Sequence, residues 1–207
     1  MFPPAHMGGY PHNLGGRDLP FTFSTEPLVG YRVWRVVYED DFQLGSLHKP
    51  YFWKRENMAR CVSEGFLTTV VGRELHDAPD IGCACGLYAS LPERPIDEWE
   101  RVVSGKLRAS GTIAMSGRII RCTAGFKAQF ATIQPPVVLD VDCFKERDCE
   151  NDVDVVHYDP QVRQWFGYCT PHVPEGGGFV DATELMGHAA DVLSESLGVE
   201  VLSFRNL

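Results

Sequence analysis

The sequence predicts an α+β protein with a mostly antiparallel sheet, a few short helices and a Cys/His-rich, metal-stabilised turn. Three observations carry this. β-branched and aromatic runs such as "VGYRVWRVVY" (Val29 to Tyr38) recur between turn-forming residues. One late stretch has helix signals at both ends. And "HDAPDIGCACG", His76 to Gly86, gathers two thiols and an imidazole among prolines and glycines.

The elements follow in chain order. Residues 1–27 are rich in Pro and Gly and read as an extended arm, either disordered alone or ordered against a partner. Residues 28–207 read as a single domain with an acidic, loop-rich insertion around 142–180. Val29 to Tyr38 is a strand buried on both faces. "RENMARCVSE" predicts a short helix ending at Gly65, and "FLTTVVG" a strand. Trp34 reads as core, and Trp53, in "KPYFWKR", as part of a solvated basic loop. Pro95 opens "PIDEWERVV", a short helix with proline in its first turn. Gly111 to Ile133 reads as paired strands around "TAG" at 123–125, with Phe126, Ala128 and Phe130 alternating with Lys127, Gln129 and Ala131.

"VVLDV" and "VDVVHY" add two strands, with "DCFKERDCENDVD" exposed between them, and "YCTPHVPEGGG" is a loop by composition. In the late helix Asp181 is the N-cap, Glu184 sits three residues on and Gly198 marks the stop. Leu185, Ala189, Val192, Leu193 and Leu197 form its apolar face. "VEVLSF" closes as a strand.

Composition narrows the class. A chain of 207 residues, 44% hydrophobic and 23% charged, buries a full core without disulfides. A formal net charge of −9 argues against general binding to nucleic-acid phosphates. No apolar run reaches the ~18 residues of a membrane span. The opening "MFPPAHMGGYPHNLGGRDLP" lacks the basic and apolar regions of a signal peptide, so a cytoplasmic protein is expected. Its seven cysteines are then thiols or metal ligands. From Asp140 to Asp159 eight carboxylates face two basic residues, which reads as a solvated surface rather than a calcium loop or a nucleic-acid mimic. "EGGGF" lacks the Lys-Ser/Thr of a phosphate-binding loop.

Cys61, His76, Cys83 and Cys85 form the first ligand set, spaced Cys-x14-His-x6-Cys-x-Cys. Thiolates and neutral imidazole are what structural Zn2+ prefers, and Gly82 and Gly86 would let backbone N–H groups turn toward the sulfurs. The Cys-x-Cys pair is tighter than the usual Cys-x2-Cys knuckle. The plain alternative is three separate buried thiols and a capped histidine. The catalytic alternative makes Cys83 or Cys85 a nucleophile with His76 as its base. A second group holds Cys143, Cys149, His157, Cys169 and His172, with "CTPH" a Cys-x2-His half-site. The polar, insertion-like composition around it favours free cysteines there.

Several of these residues also recur as a pattern: Gly30, Tyr31, Arg32 and Trp34; Ala59 and Cys61; His76, Ala78, Pro79, Cys83, Cys85, Gly86, Leu87, Tyr88 and Ala89; then Gly117, Gly125, Phe126, Ala128 and Ala131. In these, residues 29–140 resemble an uncharacterised family of actinobacteria and their phages, with a GYRxW strand and an HxAP…CxCG[IL]YA core. The resemblance implies that Cys61, His76, Cys83 and Cys85 act as one set. It implies no substrate.

The function expected is a zinc-stabilised cytoplasmic protein that binds another protein, through the arm and the 142–180 segment. The alternatives are a cysteine-dependent hydrolase or transferase using Cys83 or Cys85, and a virion structural or assembly protein. A closed four-ligand site leaves no position for a catalytic water.

Overall fold

The paired strands predicted at Gly111 to Ile133 are the spine of the molecule. A computed structural model of the chain describes residues 22–23, 26–47, 51–61, 76–81, 83, 85–91, 104–122, 125–145 and 149–204. In chain order these form β1 (Thr22–Phe23), β2 (Leu28–Tyr38), β3 (Phe42–Gly45), β4 (Phe52–Trp53), β5 (Glu56–Met58), β6 (Leu87–Ser90), β7 (Arg108–Cys122) and β8 (Gly125–Asp140). There follow β9 (Val155–Asp159), β10 (Gln164–Tyr168), a 3-10 turn (Thr170–His172), β11 (Phe179–Asp181), helix α1 (Ala182–Leu197) and β12 (Val201–Ser203). The predicted arm lies almost wholly outside the described residues, as do the strand at "FLTTVVG" and the helix at Pro95.

β7 and β8 pair along their whole length. The far edge of β7 takes β2, from Leu28 opposite Met115 to Arg35 opposite Arg108, and then β1. The far edge of β8 is filled by three short strands from distant parts of the chain. β6 pairs at Gly125–Ala128, β5 at Phe130–Thr132 and β12, in parallel, at Val137–Leu139. β6 also meets β2 where Tyr31 faces Ser90, so β2, β7, β8 and β6 close a circuit. Closure brings backbones close: a Cβ on Gly125 would lie 2.0 Å from the Ala89 carbonyl oxygen. Two irregularities bend the spine. Gly117 and Arg118 face Gln129 alone, and Pro135–Pro136, which have no N–H to give the ladder, bulge opposite Gly111 and Thr112.

The sheet is mostly antiparallel, as predicted. The helices are fewer: the described residues hold one α-helix and one 3-10 turn. The helix predicted from Arg55 is strand β5 at Glu56–Met58 instead. Asn57 explains this. Its buried side chain accepts from the Lys54 N–H at 3.0 Å and donates to the Lys54 carbonyl at 2.6 Å, a local bond that competes with a helix. The late helix stands as predicted. Asp181 accepts from the Glu184 N–H, and Gly198 caps the far end in the left-handed conformation, φ 62°. Leu185, Ala189, Leu193 and Leu197 are buried, with Val192 packed at the margin.

The core lies around Trp34, Leu44, Ile113, Met115, Ile133 and Leu139 from the sheet, with Met186 and Leu193 from α1. Trp53 belongs to it too, and not to a solvated loop. It meets Trp34 edge-on, donates Nε1–H to Ser46 and lies under the Arg32 guanidinium at 4.2 Å. The simple alternation expected along β8 breaks down: Lys127, Ala128, Ala131 and Ile133 are all buried, and Phe130 is exposed. β9, β10 and β11 make a separate three-stranded sheet within the 142–180 segment and its margin. It joins the spine through the Leu107 N–H on the Trp165 carbonyl and the Phe144 N–H on the Gly167 carbonyl. No helix among the described residues is long and apolar enough to cross a membrane.

Candidate metal centres

The opening stretch becomes a turn laid against the start of β8. Cys61 leaves β5 and is buried; His76, Cys83 and Cys85 come from the turn that leads into β6. The four expected ligand atoms all lie within 4.8 Å of one another. Cys61 Sγ stands 3.7 Å from Cys83 Sγ, and His76 Nε2 3.3 Å from Cys85 Sγ. A tetrahedral zinc with ordinary bond lengths has S···S edges of about 3.8 Å and S···N edges of about 3.5 Å. The sulfurs are much too far apart for a disulfide, and all seven cysteines are free.

The turn is held by a residue that the sequence did not single out as functional. Lys127 is buried, and its ammonium donates to the carbonyls of Asp80 at 2.7 Å, Cys83 at 3.2 Å and Ile81 at 3.5 Å. It thus fixes the backbone of the turn from which Cys83 and Cys85 project. Gly86, at φ +124°, packs against the Lys127 and Pro79 side chains; a Cβ there would come within 3.1 Å of both. Arg118 donates to the Asp77 carbonyl at 3.4 Å.

The same geometry bears on the catalytic alternative. His76 and Cys85 are within reach of one another, as a thiol–imidazole pair requires. Yet Cys85 is only 1% exposed, and burial pushes its thiol up to about 12, against the pull of the Asp80 N–H. That is the opposite of an activated nucleophile.

A second cluster also assembles. Cys143, Cys149, Cys169 and His172 place their ligand atoms within 4.8 Å of one another. His157 is not among them: its ring packs on Phe179, and Nδ1 lies 3.3 Å from the Gly178 carbonyl. The expected exposure of this segment is therefore corrected at two of its cysteines. Cys143 and Cys169 are buried at the junction of the two sheets. The Cys-x2-His half-site is shaped by the 3-10 turn, in which the His172 N–H donates to the Cys169 carbonyl at 2.8 Å. Asp154 braces it by accepting from the Thr170 N–H and hydroxyl, both at 2.7 Å. Burial raises the Cys143 thiol, but the Cys169 and Lys145 N–H groups, helped by the Cys169 and His172 side chains, bring it down to about 7. Cys122 belongs to neither cluster; its thiol lies 3.9 Å from the Ile120 carbonyl.

The acidic run also has work within the chain. Asp140 and Asp142 hold Arg108 at the base of the β7–β8 hairpin, and Asp159 accepts from the Gln161 N–H.

Fold and clusters together define a sheet protein with two Cys/His ligand sets, each able to hold a metal ion. Comparison of the chain with protein-family models, curated proteins and solved structures gives no significant match.

Proposed function

We propose that the chain is a zinc-stabilised cytoplasmic binding protein, an accessory or regulatory factor of phage or actinobacterial type that engages another protein. The observation that carries this reading is the convergence of Cys61, His76, Cys83 and Cys85, within 4.8 Å of one another, on a turn pinned by Lys127. Three thiolates and one imidazole suit Zn2+, and four protein ligands complete its tetrahedron. Such a site shapes a surface and leaves no coordination position for substrate. The 142–180 segment supports a contact role, since Phe144, Val162 and Val173 expose apolar side chains there. The N-terminal arm is the other proposed contact.

The test is elemental analysis of protein purified without added metal, with alkylation of each thiol followed before and after chelation. Zinc is expected, with Cys61, Cys83 and Cys85 unreactive until the chelator is added. Metal-free protein in which Cys83 or Cys85 reacts far faster than the other thiols would overturn the reading in favour of a cysteine-dependent hydrolase or transferase. Growth of large, concentration-dependent assemblies by the chain alone would favour a virion assembly protein.

A further inference from the structure

We propose that Cys143, Cys149, Cys169 and His172 form a second, closed four-ligand zinc site, separate from the first and built to lock the small sheet onto the spine. The argument is geometric. Cys149 Sγ and Cys143 Sγ each stand 3.6 Å from Cys169 Sγ. His172 Nδ1 stands 3.4 Å from Cys143 Sγ, 3.6 Å from Cys149 Sγ and 3.1 Å from Cys169 Sγ. A zinc tetrahedron of three sulfurs and one nitrogen asks for edges of about 3.8 and 3.5 Å. Five of the six edges lie near these values, and the sixth, between Cys143 and Cys149, is within 4.8 Å.

The other fates of these thiols fit worse. Separations of 3.6 Å are far beyond a disulfide bond, and three thiols cannot pair off. Burial in the core accounts for Cys143 and Cys169 alone, but it does not call for the partly buried Cys149 and His172 to bring their ligand atoms onto those two. The surroundings match a thiolate site: the Lys145 and Cys169 N–H groups bond Cys143, and Asn151 Nδ2 donates to Cys149 Sγ at 3.5 Å. Three sulfurs and one nitrogen in this arrangement select zinc over the harder divalent cations, which take oxygen.

The site stands apart from the first. Lys127, which holds the first turn, and Cys143 lie at opposite ends of β8, roughly 50 Å apart along extended chain. The mechanical consequence is local. Cys143 follows β8 and bridges to Gly167 in β10, while Cys169 and His172 follow β10. One ion would join the exit of the spine to the exit of the small sheet, through the loop that carries Cys149.

The experiment is peptide-resolved alkylation of the full chain as purified, with zinc counted by native mass spectrometry. Two zinc ions per chain are expected, with Cys143, Cys149 and Cys169 protected until chelation and Cys122 reactive throughout. C169S should retain one zinc, C85S one, and the double variant none. One zinc in the wild type, with Cys143, Cys149 and Cys169 alkylated as fast as Cys122, would overturn the second site and leave the first standing. Cadmium NMR of the wild type needs no variant to fold: two resonances support the second site, and one resonance with Cys143, Cys149 and Cys169 still open to alkylation refutes it.

Discussion

Lys127 shows how one side chain organises a site at a distance in sequence. Its ammonium serves three carbonyls of the Cys-rich turn, more than forty positions earlier in the chain. Lys127→Met keeps the stem and removes the donors. Leaving buried carbonyls without partners costs about 1–3 kcal/mol, so the variant's denaturant midpoint should fall accordingly. Chelator competition should show faster zinc loss at the Cys61 centre and an unchanged rate at the Cys143 centre. Equal acceleration at both would mean general destabilisation instead. The ligand types were legible in the sequence, since Cys61, His76, Cys83 and Cys85 do converge. Lys127 was not, because alternation places a lysine on the solvent face and its partners come from a turn that alternation cannot see. The second cluster was half legible. "CTPH" gave Cys169 and His172, while burial of Cys143 depends on Gly167 drawing β10 against the end of β8.

Elements were legible where their signals are local. Helix α1 carries its own start, stop and apolar face, and all three hold in the fold. Asp181→Ala should cost about 1 kcal/mol, measured as a shift in the denaturant midpoint with unchanged slope. Strand β5 was misread because three residues have too little pattern to oppose a helix-forming neighbourhood, and its pairing with β8 is long-range. Alternation along β8 fails at Phe130 for a related reason: it is half of an exposed pair with Met58, its opposite on β5. An aromatic in such a pair gains from its cross-strand neighbour without reaching the core.

For the whole molecule, zinc bound as proposed would carry energies comparable to folding itself. Structural zinc contributes on the order of 10–16 kcal/mol in small zinc-binding peptides, against about 5–15 kcal/mol for the stability of a typical domain. Chelation should therefore lower the thermal midpoint steeply, and zinc alone among the common divalent ions should restore it. Acid should do the same. Protons compete for the thiolates, so zinc bound as proposed should be held at neutral pH and lost as pH falls, which release to an indicator dye will follow. The circuit of strands was beyond sequence reading, because it depends on which distant segment reaches which stretch of β8. That edge has a further consequence during synthesis. Val137 to Leu139 pair with β12, and β12 is made only after the small sheet and α1. A chain on the ribosome must hold this part of the spine open until then, with unpaired backbone beside it. Completion of the sheet is thus tied to the arrival of Val201.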